Sequence, residues 1–188
     1  MKQLLATAAL VLAAHLPASA AVLVGATPGP NTVTDYSADG LVSFDLDLAN
    51  GGPVRLDFAL SAADVGATID FDAIVRNFIG SGLSRLFISL GIADFDAIGT
   101  VTRTFGGSTL VELNGSTAYL QFDSPEFLDV FIGDPLGSAG ATDWRIDTGA
   151  LNAGDVLSIT IGIPEPDSRA LLLAALLALG WTARRRHR

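Results

Sequence analysis

The sequence predicts an all-β protein, an antiparallel β-sandwich or jelly roll, preceded by an N-terminal signal helix and followed by a short C-terminal transmembrane helix. Three observations carry this prediction. Apolar and polar residues alternate with period two in several short runs, Asn114-Gly115 is a strong hairpin signal, and turn residues separate the runs at close intervals. The chain divides into residues 1–20, 21–163 and 164–188.

Residues 1–20 have the features of a secretory signal peptide. A lysine stands near the start, residues 4–16 form an apolar run, and Ala18 and Ala20 occupy the small-residue positions of a cleavage site. Cleavage is predicted immediately before Ala21, which implies passage through the secretion machinery and a signal peptidase. The alternative is an uncleaved anchor helix, for which the apolar run is short.

The body, residues 21–163, offers a restricted set of reactive side chains. It contains no cysteine, histidine or lysine, and its 18 acidic residues face only five arginines, giving a net charge of −13. Such a surface repels nucleic acid and anionic lipid, so nucleic acid is not expected as a partner and divalent cations are the favoured ionic ones. Disulfides and histidine-dependent catalysis are excluded for this part of the chain.

The first two strands are predicted within residues 41–49 and 54–60. Both alternate with period two, so each should bury one face and wet the other. The intervening Asn-Gly-Gly-Pro is typical of a turn, which makes the pair a predicted hairpin. Its expected cross-strand pairs are Leu48 with Val54 and Asp47 with Arg55.

A second hairpin is predicted around Asn114-Gly115. A two-residue type I′ loop needs positive φ at both central positions, which Asn and Gly tolerate. The same pattern places Val111, Leu113, Ala118 and Leu120 on one face. The expected pairs are Leu113 with Ser116, Val111 with Ala118, and Thr109 with Leu120.

Further strands are predicted later in the chain. Their sequences lie within residues 83–92, 100–105, 126–133, 142–147 and 155–163. The last should bury Leu157, Ile159, Ile161 and Ile163. Residues 72–80 are compatible with either a strand or a short helix, because the periodicity does not distinguish them.

Three Asp-x-Asp pairs are the candidate metal ligands. Residues two apart on a strand share a face, so each pair presents two carboxylates together. Ca²⁺ binds six to eight oxygen ligands, and two such pairs meeting at a sheet end could supply some of them. The alternative is a solvated strand face. The residues concerned are Asp45, Asp47, Asp70, Asp72, Asp94 and Asp96.

Two aromatic residues are candidates for stacking on sugar rings. They are Trp144 and Tyr119, and the alternative for Trp144 is packing in the core at a sandwich edge. Carboxylate pairs also perform glycoside hydrolysis, so an aspartate-dependent hydrolase is a further hypothesis. The nucleophile and metal motifs of serine and zinc hydrolases are absent from the sequence.

The C-terminal segment reads as a marginal membrane anchor. Residues 170–183 are apolar, but a helix of this length spans only about 21 Å, against about 30 Å of hydrocarbon. Arginines after the run would hold that end in the cytoplasm and leave the body on the opposite side of the membrane. These stop-transfer residues are Arg184, Arg185, Arg186 and Arg188.

Pro164-Glu165-Pro166, the short Ala/Leu-rich helix over 170–183 and the basic tail 184–188 together resemble the PEP-CTERM sorting signal. The resemblance covers the last 25 or so residues and agrees with the N-terminal signal peptide. It implies recognition by an exosortase, a membrane-embedded transpeptidase-like protease of Gram-negative bacteria that make exopolysaccharide. The implied route runs through an inner-membrane-anchored precursor to the cell surface, outer membrane or extracellular matrix.

These features predict an exported, non-enzymatic surface or matrix protein, associated with exopolysaccharide or biofilm. One alternative is a calcium-stabilised carbohydrate-binding or adhesive module that uses the Asp-x-Asp carboxylates and Trp144. A second alternative is a secreted, aspartate-dependent glycoside hydrolase.

Overall fold

The computed structural model describes residues 21–66 and 68–164, which form thirteen β-strands in two sheets. In chain order the strands are β1 Val22–Thr27, β2 Thr32–Asp35, β3 Leu41–Leu48, β4 Val54–Ala59, β5 Thr68–Asn77, β6 Leu83–Leu90, β7 Asp94–Ala97, β8 Val101–Arg103, β9 Thr109–Asn114, β10 Thr117–Glu126, β11 Asp129–Ile132, β12 Trp144–Asp147 and β13 Val156–Gly162. The prediction of an all-β, sandwich-like body is confirmed. The predicted terminal helices lie outside the described residues.

The first sheet has six strands in the order β1-β4-β13-β6-β10-β9, and all of its pairs are antiparallel. The second sheet runs β2-β3-β5-β11-β8, and β12 joins β5 to β7. Strands β3 and β5 are parallel, so the second sheet is mixed rather than purely antiparallel as the sequence predicted.

Strand β5 includes most of residues 72–80, for which the sequence was compatible with either a strand or a short helix. One side of it pairs with β3, while β12 pairs with its first half and β11 with its second. Residues 71–75 are all buried, and β-branched Ile74 and Val75 suit a strand in the middle of a sheet. This burial on both faces removes the alternation by which a strand is recognised.

The first predicted hairpin is wrong, because β3 and β4 belong to different sheets. The turn after Leu48 carries the chain across the sandwich, and the Asn31 side-chain oxygen accepts the backbone N–H groups of Ala49 and Asn50 there. Asp47 therefore pairs with Arg76 at 3.0 Å, whereas Arg55 pairs with Asp57 at 2.8 Å within its own strand.

The second predicted hairpin is confirmed, but with a different register. Its two-residue loop is Gly115-Ser116, and Gly115 has a φ of 61°. No non-glycine residue in the described chain has positive φ, so the turn has the single left-handed first position of a type II′ loop. The same residues as predicted still share one face of the hairpin, because each β9 residue pairs with the β10 residue two positions beyond the expected partner. The observed pairs are Leu113 with Ala118, Val111 with Leu120, and Thr109 with Phe122.

The core lies between the sheets and contains a continuous row of aromatic rings. Phe58 of the first sheet stacks on Phe44 of the second at a centroid distance of 6.1 Å, and the row continues through Phe71 and Trp144 to Phe95. Leu157, Ile159 and Ile161 of β13 are buried as predicted, and Ile163 packs partly buried against the core.

Arg103 connects the two sheets at one open edge. It lies on β8 of the second sheet, with its side chain almost wholly buried over the ring of Phe122 in the first sheet. Its guanidinium donates to the Ser124 carbonyl at 2.6 Å and to Asp123. Bonds from the backbone and hydroxyl of Ser108, and then from Arg103, hold the pKa of the Asp123 carboxyl well below its usual value.

Candidate functional site

The outer face of the second sheet carries all three predicted Asp-x-Asp pairs. Asp45 and Asp47 lie on β3, Asp70 and Asp72 on the neighbouring β5, and Asp94 and Asp96 on β7. We call this surface the acidic face. The fold thus brings the three motifs onto one sheet, which their spacing in the sequence could not show.

Arg76 neutralises the first pair. It lies on β5 opposite Asp47, and its guanidinium contacts Asp45 and Asp47, the latter at 3.0 Å. Asp129 stands opposite Arg76 on the other neighbouring strand. Burial raises the pKa of the Asp129 carboxyl, and the charge of Arg76 opposes that rise. At this end of the acidic face, one arginine therefore contacts two carboxylates and stabilises the ionised form of a third.

Arg145 has the same role at the other end. It stands opposite Asp70 across the β5–β12 pair, and it forms a 2.9 Å ion pair with Asp96 on β7. Asp94 lies opposite Asp147 and is exposed to solvent. Two of the five arginines of the body are thus placed among the aspartates of the acidic face, where they reduce the repulsion between like charges.

Asp72 is the most deeply buried carboxyl group of the acidic face. Its Oδ1 accepts a hydrogen bond from the Ser43 hydroxyl on the parallel neighbour β3. Burial raises the pKa of Asp72, and the nearby carboxylates of Asp143 and Asp134 add to the rise. Because the folded-state pKa is raised, ionised Asp72 costs stability at neutral pH, and this cost disappears as the pH falls through the raised value.

These carboxylates do not form a metal cage among the described residues. Within 21–66 and 68–164, no group of three or more His, Cys, Asp or Glu side chains is placed to hold a metal ion. Asp45 and Asp47 share Arg76, and Asp72 accepts from Ser43. Calcium binding by the Asp-x-Asp pairs therefore remains a prediction from the sequence.

A cavity of about 400 Å³ opens beside the acidic face. Its lining includes the strand residues Thr102 and Phe131, together with Asp134, Pro135 and Leu136 of the loop after β11. Asp134 is held in place, because its backbone N–H donates to the Asp143 carboxylate at 2.8 Å. Sequence reasoning did not single out Asp134 or Asp143, since neither belongs to an Asp-x-Asp pair.

The prediction that Trp144 stacks on a sugar is wrong. Its side chain is 0% exposed, and its ring packs edge-on against Phe71 and Phe95 in the core. The indole N–H donates to the Thr100 carbonyl at 3.1 Å, which satisfies the one polar atom of the ring. The other alternative considered for this residue, a core tryptophan near a sandwich edge, is the one observed.

Tyr119 lies on the outer face of the first sheet and is 40% exposed. Two shallow hollows of about 190 and 380 Å³ flank its ring, and Pro164 contributes to both. Together they form what we call the Tyr119 groove. Its other lining groups include Arg85, Glu112 and Gln121 on one side and Phe87, Ser89 and Thr117 on the other.

The predicted targeting residues fall mostly outside the described chain. Ala18, Ala20, Glu165, Pro166 and the arginines Arg184, Arg185, Arg186 and Arg188 lie there, as does the predicted helix over 170–183. Ala21 and Pro164 are described, and the side chain of Ala21 is buried immediately before β1. Over the described residues, no helix has the length and apolar character needed to cross a membrane.

No protein-family model, curated protein or solved structure matches this chain.

Proposed function

We propose that this protein is an exported, non-enzymatic component of the cell surface or extracellular matrix of a Gram-negative bacterium, sorted by an exosortase through its C-terminal signal. The observation that carries the proposal is the sequence 164–188, with Pro164-Glu165-Pro166 before an apolar run and an arginine cluster. In this proposal the precursor is anchored transiently in the inner membrane, and the body is then delivered to the outer surface, where it associates with exopolysaccharide.

The position of the motif at the end of the sandwich supports this proposal. Strand β13 lies in the middle of the first sheet, between β4 and β6, and it ends at Gly162. Only Ile163 separates it from Pro164. The two prolines disfavour a helix at this point and favour an extended backbone, so the motif would be presented directly next to a rigid strand.

The chemistry of the acidic face supports a non-enzymatic role. Its aspartates are mainly engaged by Arg76, Arg145 and Ser43. The two carboxyl groups with raised pKa values, Asp72 and Asp129, do not line the neighbouring cavity. A glycosidase needs two carboxyl groups that face one substrate bond, and the paired arrangement here favours solubility and strand cohesion instead.

Deleting residues 164–188 tests the sorting proposal. In an exosortase-bearing host, the full chain should reach the cell surface or the medium, whereas the deletion variant should collect in the periplasm. Cell fractionation with an antibody to the body measures this. The matched control is Tyr36→Ala, which changes an exposed side chain and should leave delivery unchanged. Equal surface delivery of the deletion variant and the full chain would overturn the proposal.

A second candidate function is carbohydrate binding in the Tyr119 groove. The half-exposed ring between two hollows is the observation that favours it, because a pyranose presents an apolar C–H face to an aromatic ring and hydroxyls to its sides. Arg85, Glu112 and Gln121 line the hollow on one side of the ring and offer donors and acceptors for such hydroxyls.

The two tyrosines of the chain provide the test of carbohydrate binding. Tyr119→Ala should abolish retention on the exopolysaccharide of an exosortase-bearing strain, because it removes the stacking surface. Tyr36→Ala, at the other exposed tyrosine, should retain wild-type binding. Affinity electrophoresis in gels that contain the polysaccharide measures both. Equal migration of the two variants and the wild type would reject this candidate.

A further inference from the structure

Strand β13 ends towards one particular end of the sandwich. Gly162 of β13 stands beside Phe87 of β6, and β6 begins shortly before that point, at Leu83. Leu83 in turn pairs with Glu126 at the end of β10. The C-terminal end of β13 therefore lies on the same side of the sandwich as the loops that follow β3, β5, β8 and β10, which we call the tail end of the sandwich.

Four large apolar side chains project from the tail end. They come from three separate loops and are between 47% and 67% exposed. We call them the apolar tip. They are Phe78, Phe105, Phe127 and Leu128.

The loop segments of the tail end contain few ionisable side chains. Residues 49–53, 78–82, 104–108 and 124–128 contain a single ionisable side chain, Glu126, which is fully buried. The opposite end differs, since Asp39 and Asp155 lie within its turns. At the tail end, Asp123 has a side chain that is 47% exposed and accepts the Ser108 backbone N–H, so charge flanks the apolar tip without lying in these loop segments.

The apolar tip is a built surface rather than a set of loose loop residues. The Glu126 carboxylate accepts the backbone N–H groups of Phe105, Phe127 and Leu128, at 3.2, 2.9 and 2.8 Å. Asn77 fixes the remaining loop, because its amide donates to the carbonyls of Ser81 and Glu126. One buried carboxylate thus sets the backbone of three of the four tip residues.

We propose that the tail end is a membrane-contacting surface and that the apolar tip inserts into the interface of an electrically neutral lipid bilayer. This inference rests on the proposed function, in which residues 170–183 cross the inner membrane. The six steps from Pro164 to Ala170 reach at most about 20 Å, so an anchored helix would keep the tip close to the lipid. Exposed Phe and Leu side chains on loops that lack exposed ionisable groups of their own suit the headgroup–acyl boundary.

The lipid class follows from the charge of the body. Binding to anionic headgroups would bring a net charge of −13 towards negative charge. Neutral, zwitterionic headgroups avoid this repulsion. Phosphatidylcholine vesicles are therefore the probe for the tip.

A tryptophan probe in the tip tests the inference. Phe105→Trp is made in a Trp181→Phe background of the full chain, in which the buried Trp144 contributes the same emission to probe and control. The protein is exported so that its signal peptide is removed, and it is reconstituted into phosphatidylcholine vesicles with brominated acyl chains. We expect emission from position 105 to shift to shorter wavelength and to be quenched by the bromine atoms. The control is Tyr36→Trp in the same background, because Tyr36 is 58% exposed and distant from the tail end. Its emission should stay unshifted and unquenched.

The outcomes separate this inference from the proposed function. If the protein floats with the vesicles while both probes remain unquenched, the tail is inserted and the tip inference is overturned. If position 105 shifts to shorter wavelength without bromine quenching, a second copy of the chain covers the tip and the membrane contact is likewise overturned. If the protein does not float, both the anchoring proposal and the tip inference fail.

Discussion

Trp144→Ala is expected to lower the free energy of unfolding by about 3–5 kcal/mol, because truncating a buried large aromatic leaves a cavity that the surroundings fill only in part. The ring is wholly buried between Phe71 and Phe95, with centroid distances of 6.2 and 5.4 Å. Domain stabilities are typically about 5–15 kcal/mol, so this one side chain accounts for a large share. The midpoint of thermal unfolding should fall by on the order of 10 °C.

The position of Trp144 explains why its removal should be so costly. It begins β12, a strand of four residues that connects β5 to the equally short β7. Few backbone hydrogen bonds hold strands of this length, so the contacts of the ring must supply much of their attachment. Trp144→Ala should therefore also speed amide hydrogen exchange in β7 and β12 more than in β13.

Two variants make the Trp144 result interpretable. Trp144→Phe retains an aromatic ring but loses the indole N–H bond to Thr100. Its free energy of unfolding should therefore lie between those of the wild type and Trp144→Ala. Tyr36→Ala removes an exposed aromatic and should change stability by less than about 0.5 kcal/mol. Equal unfolding midpoints for Trp144→Ala and Tyr36→Ala would contradict the packing account.

The fold class could be predicted because alternation is local, whereas strand pairing is not. Val42, Phe44 and Val54 all alternate as expected and are buried, but burial alone does not distinguish two strands paired in one sheet from two strands facing each other across the core. Asn-Gly-Gly-Pro turns the chain in either arrangement. In the structure this turn is held by long-range hydrogen bonds to the Asn31 side chain, which no local pattern reveals.

In the candidate site, too, local features were predictable from the sequence, whereas features that depend on strand pairing were not. Spacing identified the Asp-x-Asp pairs correctly as pairs on strands, but their neutralisation by Arg76 and Arg145 depends on which strands become neighbours. Trp144 was ambiguous because its flanking Asp143 and Arg145 indicate an exposed edge, while a strand buries every second residue. The alternation places Trp144 inward and Arg145 outward.

The apolar tip was not predictable from the sequence, because its members come from loops separated by tens of residues. Each exposed Phe is unremarkable by itself, since single apolar side chains are common on protein surfaces. The tip exists because β5, β8 and β10 all end at the same side of the sandwich. The buried Glu126 then joins two of the loops, and no sequence pattern marks it as different from the exposed Glu112.

Glu126→Ala is expected to lower the free energy of unfolding by on the order of 3–5 kcal/mol, because it leaves three backbone N–H groups without their acceptor at a buried site, each costing about 1–3 kcal/mol less any compensation by water. Glu126→Gln is the sharper variant. Its amide oxygen can still accept from Phe127 and Leu128, but its NH₂ group would face the N–H of Phe105, donor against donor. We expect a loss of about 1–3 kcal/mol, with faster hydrogen exchange at Phe105 and continued protection at Phe127 and Leu128.

Glu112→Gln is the matched control, since Glu112 is the only other glutamate in the body and its side chain is exposed on β9. It should change stability by less than about 0.5 kcal/mol. If Glu126→Gln unfolds at the same temperature as Glu112→Gln, the carboxylate does not hold the tip. If the exchange of Phe105 is unchanged while stability falls, Glu126 acts through packing alone. A selective loss of protection at Phe105, together with weaker bromine quenching of a tryptophan at position 105, would connect this buried charge directly to the membrane contact.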